Sequence, residues 1–168
     1  AAVVVRSLDN KDRWVMLRDG ASQKLTLGDR QRESAWLGGP TTGGFGSLAT
    51  GALGWTSDGK SLWFTSEATG YAHLYSYNLG ASKQTALTSG KFELQSVDLS
   101  NDGKSFYVIT NEAHPGEKQY YKMPVNGGKP ERLTSMTGNN EVALSPDEKW
   151  LAIRYSYSRT APSTSSAP

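Results

Sequence analysis

The sequence predicts an all-β protein made of β-propeller blades, each a four-stranded antiparallel sheet. Three observations support this prediction: a hairpin that recurs along the chain, outer strands that recur with it, and a composition suited to short strands and tight turns. The 168 residues include 18 Gly, 5 Trp and 8 Tyr. Glycine supplies tight turns, and aromatic residues are enriched in strands.

The recurring hairpin is centred on Asp58, Asp102 and Asp147, so that successive copies are 44 and 45 residues apart. Each copy has an apolar run, a tight turn and a second apolar run. Asp-Gly at 58–59 and 102–103 provides residues that tolerate the positive φ of hairpin turns. The spacing matches the period of about 40–50 residues of a propeller blade.

The later strands of the blade recur as well. Residues 73–78 align with 119–124, and 13–18 fit the same position earlier in the chain. The outer strands are 24–27, 85–88 and 131–134. The sequence therefore predicts a partial blade over 1–28, a long inter-blade loop over 29–51, blades over 52–90 and 91–138, a partial blade over 139–159, and a flexible Ser/Thr/Ala/Pro tail over 160–168.

These segments give about 13 strands, whereas a closed propeller has four to eight blades of four strands. We therefore expect an incomplete propeller fragment. A ring of three blades would need steep strand angles, which disfavours it. Because a fragment leaves blade faces and strand edges uncovered, we also expect self-association of this chain.

Composition excludes several classes of function. The net charge is +2 and the basic residues are scattered, which disfavours binding to nucleic acid or to an anionic membrane surface. The chain has no Cys, so disulfides and cysteine metal sites are excluded. No apolar run approaches the roughly 20 residues of a membrane-spanning helix.

Residues 63–75 resemble part of the N-terminal propeller of dipeptidyl peptidase IV-like enzymes, which belong to the prolyl oligopeptidase family of serine peptidases. Gly70, Tyr71, His73 and Tyr75 follow that family's pattern of Gly-Tyr, any residue, His, an aliphatic and an aromatic residue. Residues 5–14 and 29–40 resemble bacterial members, and residues 155–162 resemble the approach to the last propeller strands. The resemblance extends over 1–162. It implies blades from the later part of the propeller.

In the resembled family, the propeller covers an α/β-hydrolase domain with a Ser-Asp-His triad, whose Ser lies in a Gly-x-Ser-x-Gly motif. This sequence has no such motif, and it lacks the Glu-Glu pair of dipeptidyl peptidases. We therefore expect no catalytic residue, metal or cofactor in this chain, and a parent protein that is a serine peptidase. The resemblance implies a periplasmic or secreted protein, with a peptide substrate and the missing hydrolase domain as partners.

The candidate substrate-contacting residues are Phe45 and Trp36, in the long loop. The resemblance implies that this inter-blade stretch lies near the substrate cavity, although Trp36 would equally fit between two blades. For His73 we expect a buried residue that anchors the preceding turn rather than a base or metal ligand. The repeated aspartates are expected to act in turns.

Two functions from different classes are consistent with these observations. The first is a propeller segment of a peptidase, which gates access to the active site and contacts the peptide. The second is a stand-alone propeller that binds a protein partner and has no peptidase activity. A Gly-x-Ser-x-Gly motif further along the same reading frame would distinguish the first from the second.

Overall fold

A computed structural model of the chain describes residues 1–35, 37–39, 41–42, 52–158 and 160–167. Fourteen β-strands account for the regular secondary structure of these residues, which confirms the all-β prediction. The chain divides into two compact units, Ala1–Ser89 and Gly90–Pro168. Each unit contains two antiparallel sheets.

The first unit contains a three-stranded sheet, blade 1, with the order β1-β2-β3, and a four-stranded sheet, blade 2, with the order β4-β5-β6-β7. Every neighbouring pair is antiparallel and consecutive in sequence, as in a meander. The strands are β1 (Ala2–Arg6), β2 (Asp12–Arg18), β3 (Leu25–Arg32), β4 (Leu53–Trp55), β5 (Ser61–Ser66), β6 (His73–Asn78) and β7 (Lys83–Ala86).

The second unit also contains one four-stranded and one three-stranded sheet, in the reverse order along the chain. Its four-stranded sheet, blade 3, has the order β8-β9-β10-β11, and its three-stranded sheet, blade 4, has the order β12-β13-β14. The strands are β8 (Leu94–Leu99), β9 (Ser105–Thr110), β10 (Gln119–Pro124), β11 (Glu131–Arg132), β12 (Asn139–Leu144), β13 (Leu151–Tyr157) and β14 (Thr160–Ala167).

The same two hydrogen bonds recur in each of the three predicted aspartate turns. The Thr56 hydroxyl donates to Asp58 Oδ1 over 2.7 Å, and the same oxygen accepts the Lys60 N–H over 3.0 Å. Blades 3 and 4 repeat both bonds at Asp102 and Asp147. The residue after each aspartate has a positive φ, 66° at Gly59, 66° at Gly103 and 58° at Glu148.

The turn between β1 and β2 has the same chemistry, which the sequence comparison did not identify. The Lys11 N–H donates to Asp9 Oδ1 over 3.2 Å, and Asn10 has a φ of 57°. The Asp12 N–H donates to the Ser7 hydroxyl oxygen over 2.9 Å. A side-chain oxygen two residues before the aspartate and a residue with positive φ after it therefore define this turn in all four blades.

A second turn, between β2 and β3 and again between β6 and β7, shows which residues of blades 1 and 2 are equivalent. The Ser22 N–H donates to Asp19 Oδ1 over 2.6 Å, and the Ala81 N–H donates to Asn78 Oδ1 over 2.8 Å. These matching bonds align Asp19 with Asn78, whereas the sequence repeat aligned Arg18 with Asn78. Because alternate side chains of a strand point to opposite faces, this one-residue shift determines which side chains of β2 face blade 2.

The core of the first unit forms between its two sheets. It consists of Val15, Leu17, Leu62, Phe64 and Tyr75, all at most 7% exposed. The rings of Phe64 and Tyr75 are stacked, with centroids 6.1 Å apart and planes at 19°. Blades 1 and 2 are therefore packed face to face through β2, β5 and β6.

In the second unit, the most deeply buried apolar side chains include Leu94, Phe106, Val108 and Met123. A polar contact joins its two sheets: the carboxylate of Glu148 accepts the Asn101 N–H over 2.5 Å and the Tyr107 hydroxyl over 3.3 Å.

Two predicted boundaries were wrong. Strand β3 continues to Arg32, although the loop was expected to begin at residue 29. Asp29 and Gln31 look like loop residues, but both are buried and hydrogen-bonded to each other over 3.0 Å. Residues 160–167 form strand β14 on the edge of β13 rather than a flexible tail. Backbone pairing needs no apolar side chain, and Ser and Thr tolerate an extended backbone.

We predict that the positive φ of Gly59 is a measurable requirement. A Cβ at Gly59 would meet no atom within 4 Å, so Gly59→Ala tests backbone strain alone. The variant should lose about 1 kcal/mol of unfolding free energy, measured by urea titration. Gly20→Ala is the control, because a Cβ there also meets no atom within 4 Å and the φ is ordinary. Equal stability of the two variants would contradict the prediction.

We also predict an acid-sensitive contribution from Asp58. Hydrogen bonds from Thr56 and Lys60 lower the pKa of its carboxyl below the usual value of 3.8. The stability that this carboxylate adds is therefore present at neutral pH and is lost as the pH falls through the lowered pKa. In urea titrations at neutral and acidic pH, Asp58→Asn should be less stable than wild type at neutral pH and should lose less on acidification. Equal acid losses in the two proteins would count against this account.

Candidate functional site

The turn between β5 and β6 contains the motif residue Gly70. The Gly70 N–H donates to the Glu67 carbonyl oxygen over 2.8 Å, and Gly70 has a φ of 84°. This conformation favours glycine, which explains its presence at this position of the motif. The turn connects β5 to β6, so that Glu67 lies at one end of the sheet.

His73, the first residue of β6, is 1% exposed. Its Nδ1 is 3.1 Å from the Thr88 hydroxyl oxygen, which also accepts the Leu74 N–H over 2.9 Å. Blade 3 contains the same arrangement 46 residues later: the Thr134 hydroxyl donates to Gln119 Oε1 over 2.7 Å and accepts the Tyr120 N–H over 3.0 Å. The threonine after the outer strand thus holds the start of the third strand in both blades.

The remaining motif residues also lie within the framework of the sheet. Tyr75 is 7% exposed and stacks on Phe64 in the core. The Tyr71 ring lies 6.5 Å from the His73 ring. The motif by which the sequence resembles a family therefore builds the turn and the sheet. Glu67, at the start of the same turn, belongs to a separate cluster.

We define the Glu67 cluster as Arg6, Arg13, Gln31, Gly39, Thr42 and Glu67. The Glu67 carboxylate accepts hydrogen bonds at Oε1 from the Gly39 N–H and the Thr42 hydroxyl. The Glu67 N–H donates to Gln31 Oε1 over 3.0 Å. One residue at the end of β5 therefore holds the chain just before segment 43–51 and is itself held by β3.

Strand β5 also fixes the chain on both sides of segment 43–51. The Thr41 carbonyl oxygen accepts the Ala52 N–H over 2.8 Å and the Thr65 hydroxyl over 2.7 Å. The Thr65 N–H donates to the Ala52 carbonyl oxygen over 3.1 Å. The chain thus leaves Thr42 and returns to Ala52 at one place, beside Thr65.

Two arginines supply the positive charge of the cluster. Arg13 is wholly buried, and its Nη1 donates to the Thr65 carbonyl oxygen over 2.6 Å. Burial lowers the pKa of its guanidinium to about 10, and repulsion from Arg6 acts in the same direction, whereas Asp29 and Glu67 raise the pKa. Arg13 therefore stays protonated at neutral pH. Arg6 donates to the carbonyl oxygens of Thr42 and of Leu37.

Sequence reasoning missed this cluster. Arg13 was assigned only to a strand, although a charged residue beside Trp14 and Val15 in an apolar strand was a signal for a buried partner. Gly39 was attributed to a loop, but a Cβ there would lie 2.1 Å from Glu67 Oε1. A side chain at position 39 would therefore require the Glu67 carboxylate to move.

The sequence-predicted residues Trp36 and Phe45 lie outside the described residues. Phe45 belongs to segment 43–51, whose flanking residues are held by the Glu67 cluster and by Thr65. Among the described residues, no group of three or more His, Cys, Asp or Glu has the arrangement of a metal site. No helix in this part of the chain is long and apolar enough to cross a bilayer.

Fold and site together define a chain of β-propeller blades with a hydrogen-bonded anchor for one long inter-blade connection. Residues 3–162 match the family described as the dipeptidyl peptidase IV (DPP IV) N-terminal region. The chain belongs to this family.

Two solved structures share the fold. Dipeptidyl peptidase 4 of Porphyromonas gingivalis matches 98% of this chain and 22% of its own, with a TM-score of 0.72 and 20% identity. TolB of Acinetobacter baumannii matches 98% of this chain and 37% of its own, with a TM-score of 0.59 and 21% identity. At these identities the likeness establishes the fold alone.

A curated relative is also a longer protein than this chain. An uncharacterised protein of Agrobacterium fabrum is 32% identical over 100 residues, which are 56% of this chain and 33% of the relative. The chain therefore spans about a third of this relative's length.

We predict a strong coupling between Gly39 and Glu67. Gly39→Ala should cost about 1–3 kcal/mol of unfolding free energy, because its Cβ displaces the Glu67 carboxylate. Gly38→Ala is the control and should change stability by no more than about 0.5 kcal/mol, since a Cβ there meets nothing within 4 Å. In a Glu67→Ala background the cost of Gly39→Ala should largely disappear. An undiminished cost in urea titrations of that background would refute the contact.

Proposed function

We propose that this chain is a non-catalytic propeller segment of a dipeptidyl peptidase IV-like serine peptidase. In this proposal it gates access and contacts the peptide substrate for an α/β-hydrolase domain that this chain does not contain. Family membership supports the type of parent protein. The observation that carries the proposed role is the anchored base of segment 43–51, which contains Phe45.

The anchored base suits a loop that must present a side chain. Binding residues commonly lie on loops that a rigid framework positions. Here Thr41 and Ala52 are hydrogen-bonded to each other, and both accept hydrogen bonds from Thr65 on the buried strand β5. An aromatic side chain such as Phe45 can bury a large apolar area of a peptide, which favours it as the contact residue. Trp36 is the second proposed contact.

The environment of the two histidines supports a non-catalytic role. The sequence contains only His73 and His114. His73 is 1% exposed, so that it is inaccessible to a substrate. His114 Nδ1 accepts the Gly116 N–H over 3.1 Å, whereas a catalytic triad needs this nitrogen to face a carboxylate. Hydrolysis in the parent would therefore depend on residues of another domain.

The proposal can be tested by enzyme kinetics of the protein that the complete reading frame encodes. We predict that the complete protein hydrolyses a dipeptidyl p-nitroanilide and that a serine-directed inhibitor abolishes this activity. Phe45→Ala should raise KM about tenfold or more with little change in kcat, since it removes an apolar contact of the bound peptide. Leu8→Ala is the control, because Leu8 is fully exposed in the turn between β1 and β2.

Three outcomes would overturn parts of the proposal. Turnover by the 168-residue chain alone, if the same inhibitor stopped it, would refute the non-catalytic assignment. An unchanged KM in Phe45→Ala would refute the substrate contact. A complete protein with neither a Gly-x-Ser-x-Gly motif nor peptidase activity would instead favour a propeller that binds a protein partner.

A further inference from the structure

A groove in the second unit is lined by residues of both blade 3 and blade 4. His114 and Glu117 line it from the connection between β9 and β10, Ser156 and Tyr157 line it from the end of β13, and residues 137–139 complete the lining. We call this the blade 3–4 groove. Its volume is about 720 Å³, and ligand-binding pockets typically have volumes of about 300–1,000 Å³.

Blade 4 departs from the repeat at a residue that lines this groove. Because the aspartate turns are 44 and 45 residues apart, Ser156 occupies the position of Glu67 in blade 2 and of Asn111 in blade 3. Glu67 accepts the Gly39 N–H, and Asn111 Oδ1 accepts the Glu93 N–H over 2.6 Å. In both blades the side chain at this position therefore binds the main chain that leads into the first strand. The Ser156 side chain is shorter, and within the described residues its hydroxyl holds no part of that chain.

Other residues hold the chain that leads into blade 4. The Tyr155 hydroxyl donates to the Thr137 carbonyl oxygen over 2.6 Å. The Lys118 N–H donates to the Gly138 carbonyl oxygen over 3.0 Å, and the buried Asn140 side chain donates to the Lys118 carbonyl oxygen over 2.8 Å. Residues 137–139 are thus fixed without the side chain at the repeat position, which leaves that side chain and the groove beside it available to a ligand.

The groove contains hydrogen-bond acceptors. Glu117 Oε2 accepts the Gln119 side-chain amide over 2.8 Å, and the Glu117 carboxylate forms no ion pair in the part of the chain that the structure describes. Asn139 Oδ1 is buried and has no hydrogen-bond partner among the described residues, whereas its Nδ2 donates to Glu141 Oε1 over 3.3 Å. A buried acceptor without a partner is unfavourable. The groove therefore suits a ligand that brings N–H donors.

Two aromatic rings add an apolar surface. Tyr157 is 46% exposed, and His114 is exposed as well. His114 Nδ1 accepts the Gly116 N–H over 3.1 Å, which holds the imidazole within its turn. Exposed aromatic rings beside polar acceptors can bind a segment that has both apolar side chains and main-chain N–H groups.

We propose that an extended segment of the peptide substrate binds in the blade 3–4 groove. Its N–H groups donate to the Glu117 carboxylate, and one of its apolar side chains lies on the Tyr157 ring. The occupant is main chain because main chain is what the residues equivalent to Ser156 bind in blades 2 and 3. The identity of this peptide as a substrate rests on the proposed function, to which the groove adds a contact in a second pair of blades.

Fluorescence anisotropy of the 168-residue chain with a capped, fluorescein-labelled octapeptide of Ala, Leu and Ser tests the proposal. The wild type should bind with a Kd of about 100 μM or lower. Ser156→Trp, which fills the groove, and Tyr157→Ala, which removes the ring, should each raise the Kd about tenfold or more. The same peptide with N-methylated backbone amides cannot donate hydrogen bonds and should bind about tenfold more weakly or worse. Circular dichroism would establish that each variant is folded.

Each substitution has a matched control. Trp150, immediately before β13, is 52% exposed and does not line the groove, so Trp150→Ala controls for Tyr157→Ala. Ser57 is exposed in the turn between β4 and β5, so Ser57→Trp controls for Ser156→Trp. Both controls should leave the Kd unchanged.

Three results would overturn the proposal: no saturable binding by the wild type, an unchanged Kd in both groove variants, or equal binding of the N-methylated peptide. Binding that is lost in the complete protein would also overturn it, and would indicate that the parent's own chain fills the groove. Turnover of a dipeptidyl p-nitroanilide by the complete protein is a separate measurement. Its absence would refute the peptidase assignment and the word substrate, while the Kd values would still decide whether the groove binds a peptide.

Discussion

The packing of Phe64 and Tyr75 on Val15 and Leu17 is the interaction on which the first unit depends. A single small sheet is only marginally stable in water, because it has no layer against which to bury its apolar side chains. Burying one large apolar side chain contributes about 1.5–3 kcal/mol. The contact also holds β5 against blade 1, and so fixes the position of the residues at the end of this strand.

The Glu67 cluster uses that fixed strand. Thr65 and Glu67, at the end of β5, hold the chain on both sides of segment 43–51. Buried charges such as Arg13 are costly unless they are paired and hydrogen-bonded, so their net contribution to stability is small. The network instead fixes the relative positions of these residues, because a hydrogen bond forms only within a narrow range of distances and angles.

Internal repetition helps to separate the framework from the site. Thr88 and Thr134 make equivalent bonds in blades 2 and 3, which identifies them as framework residues. The residue that corresponds to Glu67 in blade 3 is Asn111, whose Oδ1 accepts the Glu93 N–H over 2.6 Å. Both residues hold the chain that leads into the first strand of their own blade, but Glu67 holds a much longer connection. This departure from the repeat supports a special role for the connection that contains Phe45.

Sequence alone determined the blade period, because hairpin turns need Asp and a residue of positive φ at fixed spacing, and such turns are local structures. The family resemblance was also correct, since it rests on contiguous residues around Gly70. Only the tertiary structure showed the one-residue shift of β2, the strand over 160–167 and the Glu67 cluster. Each of these depends on the partners that distant residues meet, as Gly39 meets Glu67, and no local pattern specifies those partners.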